Sequence, residues 1–453
     1  MSHIAVIGAG ISGITTAYAL SLKGYQVTVI DRLRYPAMET SFANGGQLSA
    51  CNAEVWNSRS TIFKGLKWMM RKDAPLLFNP KPSWHKYSWM GQFVGAISGY
   101  ERNTIETVKL AIAARENLYQ WAKDENIDFD LEQRGILHIY HTPGGFESGK
   151  KVSQLLQKGG LERRTVTNEE IHQIEPALQG TYYGGFFTPS DATGDIHKYT
   201  RGLADACAKR GVKFLQDTEV LGIDCGPPHR IQLRTGEGAD AHTHTLSVDS
   251  LVVCAGVGSR HLARMLGDYI NIYPVKGYSI SVYLDTPEAQ HAAPWVSLLD
   301  EEAKIVTSRL GKDRLRVAGT AEYNGSNKDI RADRIAPLTN WTRRNFHDAA
   351  TDRVVPWAGL RPMMPDMMPR VKAGSRPGVY YNTGHGHLGW TLSAATAQII
   401  TEVIAQNERQ SAPAQFATSP ATTAGPAAVH NVRPADTQSL DPVHRESHDP
   451  RPV

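Results

Sequence analysis

The pattern of apolar positions at the start of the chain predicts a βαβ unit with short connections. Residues 4–7 are four consecutive apolar residues, which indicate a buried strand. Residues 11–23 predict a helix that ends at Gly24, in the position that favours a C-terminal glycine. Residues 27–30 predict a second buried strand. The chain therefore begins as an α/β domain.

Further along, helical and strand patterns alternate. A helical period over residues 104–123 places Leu110, Ile112, Leu118 and Trp121 for burial. Residues 56–100 are rich in Trp, Met, Lys and Pro and predict helices and loops. The other predicted elements are helices at 196–210 and 391–406, strands at 212–215, 219–224 and 251–254, and strands of an antiparallel sheet within 273–284 and 305–320.

The turn after the first strand has the form of a dinucleotide-binding motif. Its sequence is Gly8-Ala9-Gly10-Ile11-Ser12-Gly13, between a predicted strand and a predicted helix. Gly8 allows the tight turn, Gly10 lets a pyrophosphate approach the backbone, and Gly13 lets helix and strand pack closely. Asp31, at the end of the second strand, is placed to accept hydrogen bonds from a ribose diol.

A second glycine-rich loop opens the last predicted helix. Gly384, Gly386 and Gly389 lie within six residues, and a helix start behind such a loop stabilises negative charge. An ordinary loop is the alternative. The strand at 251–254 ends in Ala255-Gly256, a further backbone segment suited to a cofactor.

Composition narrows the class of protein. The formal net charge of +4 comes from 49 basic and 45 acidic residues, and no basic run favours a nucleic acid. The four cysteines form no CxxC pair, so we expect neither a metal site nor a dithiol redox centre. Without a visible signal peptide or a membrane-length apolar stretch, we expect a cytoplasmic protein. Residues 56–100 have the composition of interfacial segments, so peripheral contact with the inner membrane is a second, less favoured interpretation.

Several segments together resemble one enzyme family. They are residues 39–48 (ETSFANGGQL), Thr193-Gly194-Asp195, residues 273–279 (YPVKGYS), residues 359–363 (GLRPM) and the loop at 382–391. These resemble the FAD-dependent amine and amino-acid oxidoreductases that include D-amino acid oxidase, glycine oxidase and sarcosine oxidase, and most closely the small subunits of bacterial D-amino acid dehydrogenases. The resemblance covers residues 1–405. It departs at 366–371 and at His387, where a smaller residue is common.

The resemblance implies a fold and a domain division. It implies a glutathione-reductase-like, Rossmann-type FAD-binding domain (α/β) and an α+β substrate domain whose antiparallel sheet covers the flavin. We assign residues 1–56, 165–265 and 345–408 to the first domain and residues 57–164 and 266–344 to the second. Residues 409–453, rich in Pro, Ala, Ser, Thr and His, are expected to form a disordered tail.

The resemblance also implies roles for single residues. Arg361 is expected to bind the substrate carboxylate with its planar fork, Tyr278 to offer a hydroxyl to the same carboxylate, and His385 to tune the flavin or the amine proton. The residues expected to bind FAD are Ile7, Gly8, Gly10, Ile11, Ser12, Gly13, Asp31, Arg32, Ser41, Asn44, Gly45, Gly46, Gln47, Leu48, Val220, Ala255, Gly256, Gly384, Gly386, His387, Leu388, Gly389 and Thr391.

The expected reaction is the oxidation of a D-amino acid to an imino acid, which water converts to a 2-oxo acid and ammonia. Hydride passes from the substrate Cα to flavin N5, and a quinone or carrier of the respiratory chain takes the electrons. Three alternatives stay open: an oxidase that uses oxygen, a dehydrogenase for a cyclic amino acid such as hydroxyproline, and a non-catalytic flavin-binding subunit of a larger complex. A partner subunit is compatible with each.

Overall fold

The computed structural model describes residues 2–68, 75–349 and 351–411. Its strands are β1 (His3–Ile7), β2 (Gln26–Ile30), β3 (Gln47–Leu48), β4 (Leu76–Phe78), β5 (Ile136–Tyr140), β6 (Arg164–Val166), β7 (Gly184–Thr188), β8 (Ala192–Thr193), β9 (Lys213–Leu215), β10 (Thr218–Asp224), β11 (His229–Thr235), β12 (His242–Val248), β13 (Ser250–Val253), β14 (Tyr273–Tyr283), β15 (Ser297–Asp300), β16 (Ile305–Leu310), β17 (Arg314–Tyr323), β18 (Val354–Met363), β19 (Arg370–Ala373) and β20 (Val379–Thr383).

The helices of the described residues are α1 (Ile11–Leu22), α2 (Arg59–Trp68), α3 (Trp84–Gly95), α4 (Tyr100–Asp124), α5 (Pro143–Lys158), α6 (Asn168–Ile174), α7 (Ile196–Lys209), α8 (Ser259–Met265), α9 (Pro287–Ala292), α10 (Ala332–Asn345) and α11 (Gly389–Ser411). Short 3-10 helices lie at Ala50–Asn52, Ile97–Gly99, Gly238–Asp240, Gly256–Gly258 and Gly386–Leu388. In the part of the chain described, no helix is long and apolar enough to span a bilayer.

The predicted βαβ unit forms the centre of a six-stranded sheet with the order β19-β20-β13-β1-β2-β9. Strands β20, β13, β1, β2 and β9 run parallel, so their carboxyl ends meet at one edge, and β19 is antiparallel. Buried apolar residues fill β1 and β2 because helices and other layers cover both faces of the sheet. This is the expected Rossmann-type sheet, and its carboxyl edge is where such folds bind ligands.

A nine-stranded, mostly antiparallel sheet stands over that edge, in the order β18-β14-β17-β16-β15-β5-β7-β6, with β4 paired to β17. The span predicted at 305–320 is two strands, because Gly311 turns the chain with a φ of 67°. Strand β4 lies where we predicted only helices and loops, since three residues are too few to show an alternating period. A separate meander, β10-β11-β12, completes the β structure.

Three strands of the nine-stranded sheet come at least partly from segments assigned to the FAD-binding domain. Strands β7 and β18 lie wholly in those segments, and β6 lies in them from residue 165 onward. Residues up to Arg409 form one compact unit, so the division into two domains stays a prediction. The predicted tail begins too early, because α11 continues through 409–411. The rest of that tail lies outside the described residues.

The apolar core is divided among the layers. Leu118 and Trp121 of α4 are buried with α1, α7 and α11 against one face of the six-stranded sheet, while Leu110 and Ile112 are only partly buried. A second cluster packs α10 on one face of the nine-stranded sheet. The opposite face of the nine-stranded sheet faces the carboxyl edge of the six-stranded sheet, and the candidate site lies between them.

Candidate functional site

A cavity of about 2020 Å³ lies between the carboxyl edge of the six-stranded sheet and one face of the nine-stranded sheet. The ends of β1, β2, β13 and β20 border it on one side, and residues of β14, β17 and β18 border it on the other. Apart from Gly13, Leu48 and Thr391, every residue predicted to bind FAD borders this cavity, as do Arg361, Tyr278 and His385. The predicted residues are therefore brought together at one place.

The first glycine turn has three different steric requirements. Gly8 has a φ of 113°, and a Cβ there would lie 2.7 Å from the Cys254 carbonyl oxygen. A Cβ at Gly13 would lie 1.8 Å from the Gly8 carbonyl oxygen, so helix α1 and strand β1 approach too closely for a side chain. Gly10 is different, because a Cβ there would have the Ser41 hydroxyl as its nearest neighbour, at an ordinary contact distance of 3.5 Å. Gly10 thus keeps a space open at the start of α1, where backbone N–H groups favour an anion.

The acid at the end of β2 is held by the backbone. The Asp31 carboxylate accepts hydrogen bonds from the Ala9 N–H at 2.6 Å and the Leu33 N–H at 2.9 Å. Burial raises the pKa of Asp31, and the two N–H groups oppose this rise. Each oxygen keeps a further acceptor position for a ribose hydroxyl. Arg32 beside it is exposed and pairs with Glu39 at 2.7 Å.

The segment 43–46, which precedes β3, is held against the nine-stranded sheet through its backbone. Its carbonyl oxygens accept hydrogen bonds from three side chains of the sheet: Ser279 to Ala43 (2.8 Å), Arg316 to Asn44 (3.0 Å) and Ser308 to Gly45 (2.6 Å). Gly46 has a φ of 74°, and a Cβ there would lie 2.9 Å from the Ser308 Cβ. The segment is thus pinned with its glycines against the sheet and its backbone bordering the cavity. Leu48, just beyond, is buried in the core.

The second glycine loop links helix α1 to helix α11 through His385. His385 is 4% exposed, with Nδ1 3.4 Å from the Ser12 hydroxyl of α1 and Nε2 3.0 Å from the Thr396 hydroxyl of α11. Burial lowers the pKa of His385 to about 4, so the ring is neutral at physiological pH. Since protein groups bind both ring nitrogens, the observed geometry gives His385 a positioning role between α1 and α11.

His387 lies on the other side of this loop. Its Nε2 lies 3.1 Å from the Asn52 carbonyl oxygen and must donate, because a carbonyl only accepts. Its ring stacks on Trp56, with centroids 4.8 Å apart and planes 19° apart. Burial, assisted by the charge of Arg361, lowers the pKa of His387 to about 4 against the opposing effect of the Asn52 carbonyl. The loop therefore presents a neutral imidazole near Arg361.

Arg361 lies on the cavity face of the nine-stranded sheet, with its guanidinium over Gly277. Gly277 and Gly359 are paired across β14 and β18. A Cβ at Gly277 would lie 2.6 Å from Arg361 Nη2, so a side chain there would displace the guanidinium from its observed position. Burial lowers the pKa of Arg361, and nearby Tyr323 opposes that shift. Within residues 2–68, 75–349 and 351–411, no hydrogen bond or ion pair engages this guanidinium.

Tyr278 does not join Arg361, which corrects the prediction that both bind one carboxylate. Because successive residues of a strand alternate in facing, Tyr278 points away from the face on which Gly277 meets Arg361. Its hydroxyl donates to the Glu322 carboxylate at 2.6 Å, and Lys276 pairs with that carboxylate at 2.8 Å. Tyr278 is 1% exposed, in the core beneath α10. Its observed partners are structural.

Tyr323 is the residue that sequence reasoning missed. It is the last residue of β17, and it faces the cavity because its neighbour Glu322 faces the opposite side with Lys276. Its ring stacks on Tyr273 with centroids 5.8 Å apart. No described residue hydrogen bonds its hydroxyl, whose pKa is raised by burial and lowered in part by Arg361. Only the register of β14 against β17 could have identified it.

These observations fit FAD. The start of α1, where the N-cap Gly10 brings no side chain and the Ile11 N–H donates to the Ser41 hydroxyl at 3.0 Å, suits a pyrophosphate. Asp31 suits a ribose, and the glycines at 45–46 and 384–389 keep side chains away from a planar ring. Ser49 N–H donates to the Thr391 hydroxyl at 3.2 Å, which joins the 45–49 segment to the start of α11. Val220 and Ala255 border the same cavity. The Rossmann-type edge would therefore hold the nucleotide half, and the sheet face the ring half.

The comparisons with known proteins agree with this site. A family described as DAO, FAD dependent oxidoreductase, matches residues 3–403. D-amino acid dehydrogenase 3 of Mesorhizobium japonicum is 62% identical over 405 residues, which cover 89% of this chain and 97% of that relative. D-amino acid dehydrogenase of Paramagnetospirillum magneticum is 40% identical, covering 88% of this chain and 94% of the relative. Glycine oxidase from Geobacillus kaustophilus has a similar structure (TM-score 0.70, 18% identity, 90% and 95% of the two chains).

Proposed function

This chain belongs to the DAO family of FAD-dependent oxidoreductases, and we propose that it converts D-amino acids to 2-oxo acids and ammonia. The observation that carries the proposal is Arg361, a guanidinium on the cavity wall without a counter-ion among the described residues. A charge removed from water costs several kcal/mol unless it is paired. A substrate carboxylate supplies the missing partner and can accept two parallel hydrogen bonds from arginine.

The surroundings of Arg361 are suited to one carboxylate. His385 and His387 are neutral at physiological pH, so neither adds a second positive charge. The Tyr323 hydroxyl, on the same sheet face, is a second donor for that carboxylate. Arg361 and Tyr323 would bind and orient the amino acid beside the bound cofactor, and orientation is the protein's main contribution in such reactions. Bound at this site, FAD would supply the acceptor for the Cα hydrogen and its electron pair.

The proposal extends to the electron acceptor. We propose that the electrons pass to a respiratory quinone or carrier, and what supports this is that curated relatives 62% and 40% identical to this chain are named dehydrogenases. Contact with a membrane surface or with a partner subunit would serve that transfer. Reduction of a soluble quinone in air without hydrogen peroxide would agree with the proposal. Stoichiometric peroxide would instead identify an oxidase.

The reaction itself is tested on the purified protein. We expect a flavin absorption spectrum that bleaches under anaerobic conditions when a D-amino acid is added, with formation of one 2-oxo acid and one ammonia per flavin reduced. The L-enantiomers are expected to react at least 100-fold more slowly. A flavin-bound protein that neither enantiomer reduces would favour a non-catalytic flavin-binding subunit, and equal rates with both would remove the D-specific assignment.

A further inference from the structure

The cavity continues from Arg361 into a space with apolar walls. We define the apolar chamber by six side chains: Trp56, Leu76, Phe78, Met90, Phe93 and Tyr323. All six border the same cavity as Arg361. Trp56, Leu76, Phe78, Met90 and Phe93 are partly buried and pack against the buried cluster of Trp89, Tyr273 and Tyr323. An apolar wall that stays partly open inside a cavity is typical of a ligand site.

Strand β4 places two of these residues on the same face as Arg361. It pairs in parallel with β17, with Leu76 beside Ala321 and Phe78 beside Tyr323. Ala321 in turn pairs with Gly277, the glycine over which the Arg361 guanidinium lies. Partners directly across a sheet share a face, so Leu76 and Phe78 extend the surface that begins at Arg361.

Helix α3 contributes Met90 and Phe93 to the wall and is anchored to β18 through Trp89. Trp89 is 2% exposed, and its indole N–H donates to the Met363 carbonyl at 2.9 Å. Met90 and Phe93 follow on the same helix. The Lys86 ammonium lies 4.4 Å from the centroid of the Phe78 ring and donates to backbone carbonyls, which holds that ring in place. The chamber therefore has a defined shape.

The charges around the chamber disfavour an ionised occupant. In the proposed function the α-carboxylate pairs with Arg361, and the Lys86 ammonium donates to the backbone carbonyls of Asn79 and Lys81. Burial lowers the pKa values of both His387 and His85 to about 4, so these rings are neutral. Glu54 accepts a hydrogen bond from the Tyr100 hydroxyl at 2.6 Å. An ionised side chain entering the chamber would lose water against aromatic walls. An apolar side chain would gain from the same burial.

We infer that the apolar chamber selects D-amino acids with a large uncharged side chain, aromatic, branched aliphatic or thioether, over D-alanine and over charged D-amino acids. This inference rests on the proposed function. Each added methylene that becomes buried is worth about 0.8 kcal/mol, which corresponds to a factor of about four. The length of the side chain should therefore control the rate until the chamber is full.

The test is anaerobic stopped-flow reduction of the flavin in the holoenzyme. The substrates are D-alanine, D-2-aminobutyrate, D-norvaline and D-norleucine, followed by D-phenylalanine, D-aspartate and D-lysine. We expect the second-order rate constant to rise about fourfold for each methylene, and to be at least 100-fold lower for D-aspartate and D-lysine than for D-norleucine. A flat series, or a preference for D-alanine or a charged substrate, would overturn the inference and leave the proposed function intact. No reduction by any D-amino acid would overturn the proposed function itself.

A charge placed in the wall tests the chamber directly. Met90→Glu should lower the rate constant for D-norleucine at least tenfold and reduce the preference for D-norleucine over D-lysine. Tyr87→Glu is the matched control, because Tyr87 lies on the same helix, is 48% exposed and does not border the cavity. Equal responses of the two variants would contradict the assignment. If Met90→Glu binds no flavin, Phe93→Ser should still flatten the methylene series, and an unchanged series would contradict it.

Discussion

The two faces of the sheet formed by β14, β17 and β18 treat buried charge in opposite ways. On the face covered by α10, Lys276 and Glu322 pair at 2.8 Å, and Tyr278 donates to the same carboxylate. On the cavity face, one residue away along the same strands, Arg361 is paired with no described residue. On the first face, the buried charges of Lys276 and Glu322 compensate each other. The second face becomes complete only when a ligand brings an anion, which distinguishes a structural ion pair from a binding site.

The largest expected effect is the loss of Arg361. Arg361→Ala should lower the second-order rate constant for anaerobic flavin reduction by a D-amino acid at least 1000-fold, because a charge-assisted pair in a dry site is worth several kcal/mol. Arg361→Lys should recover only part of the rate, since an ammonium cannot reproduce the guanidinium fork. Flavin content and melting temperature should change little, because no described residue pairs with the Arg361 guanidinium and its loss breaks no observed ion pair. Unchanged saturation kinetics would contradict the assignment.

Removal of Lys276 should affect stability rather than substrate binding. Lys276→Met leaves Glu322 buried beside Tyr278 with one cation fewer, and breaking a buried pair costs about 3–5 kcal/mol. The free energy of unfolding, measured by denaturant titration of the holoenzyme, should fall by about that amount. The double variant Lys276→Met/Glu322→Gln should recover part of it. A large change in the saturation of flavin reduction with stability unchanged would mean that the two faces have been assigned the wrong way round.

The same pair predicts a pH effect. Burial alone would raise the pKa of Glu322, but hydrogen bonds from Lys276 and Tyr278 outweigh burial and lower it below the usual range. A carboxylate whose pKa is lowered by folding stabilises the protein above its unfolded pKa, and this contribution is lost as the pH falls through the folded pKa. Glu322→Gln should therefore lose less unfolding free energy than the wild type between about pH 5 and pH 3. Identical losses would show that Glu322 does not titrate as described.

The smallest expected effect is at His387. His387→Gln keeps an N–H donor for the Asn52 carbonyl, so flavin reduction should slow about tenfold or less, mainly through lost stacking on Trp56. The pKa of about 4 also predicts that the wild-type rate shows no ionisation of this ring between pH 6 and 8. A step near pH 6.5 that disappears in the variant would show that His387 carries a proton during the reaction.

Local sequence patterns predicted one side of the cavity better than the other. The turn at Gly8–Gly13 and the strands around it follow from the order of apolar residues and glycines, because short connections leave a βαβ unit one way to fold. Arg361 was identified because the surrounding motif resembles a known family. Tyr278 packs beneath α10 and Tyr323 was overlooked, because the pairing of β14 with β17 decides which of these residues share a face. Such a register is a long-range property that no local pattern contains.

The apolar chamber was not predicted for the same reason. Residues 56–100 were interpreted as helices and loops, with core packing favoured over a membrane surface, and part of that segment does pack in the buried cluster with Trp89. Leu76 and Phe78 become part of a ligand wall only because β4 joins the edge of a strand more than 200 residues away. The composition of the segment was informative about burial, but its partner in the sheet could not be read from it.

We propose that the carboxylate of the substrate supplies the counter-ion of Arg361. The most direct measurement compares D-phenylalanine with D-phenylalaninamide, which lacks that charge, in anaerobic flavin reduction by the wild type and by Arg361→Ala. We predict that the variant loses at least 1000-fold with the acid and less than tenfold with the amide, so that the two substrates become nearly equivalent. An equal loss with both substrates would show that Arg361 supports the flavin or the fold, and it would contradict the claim.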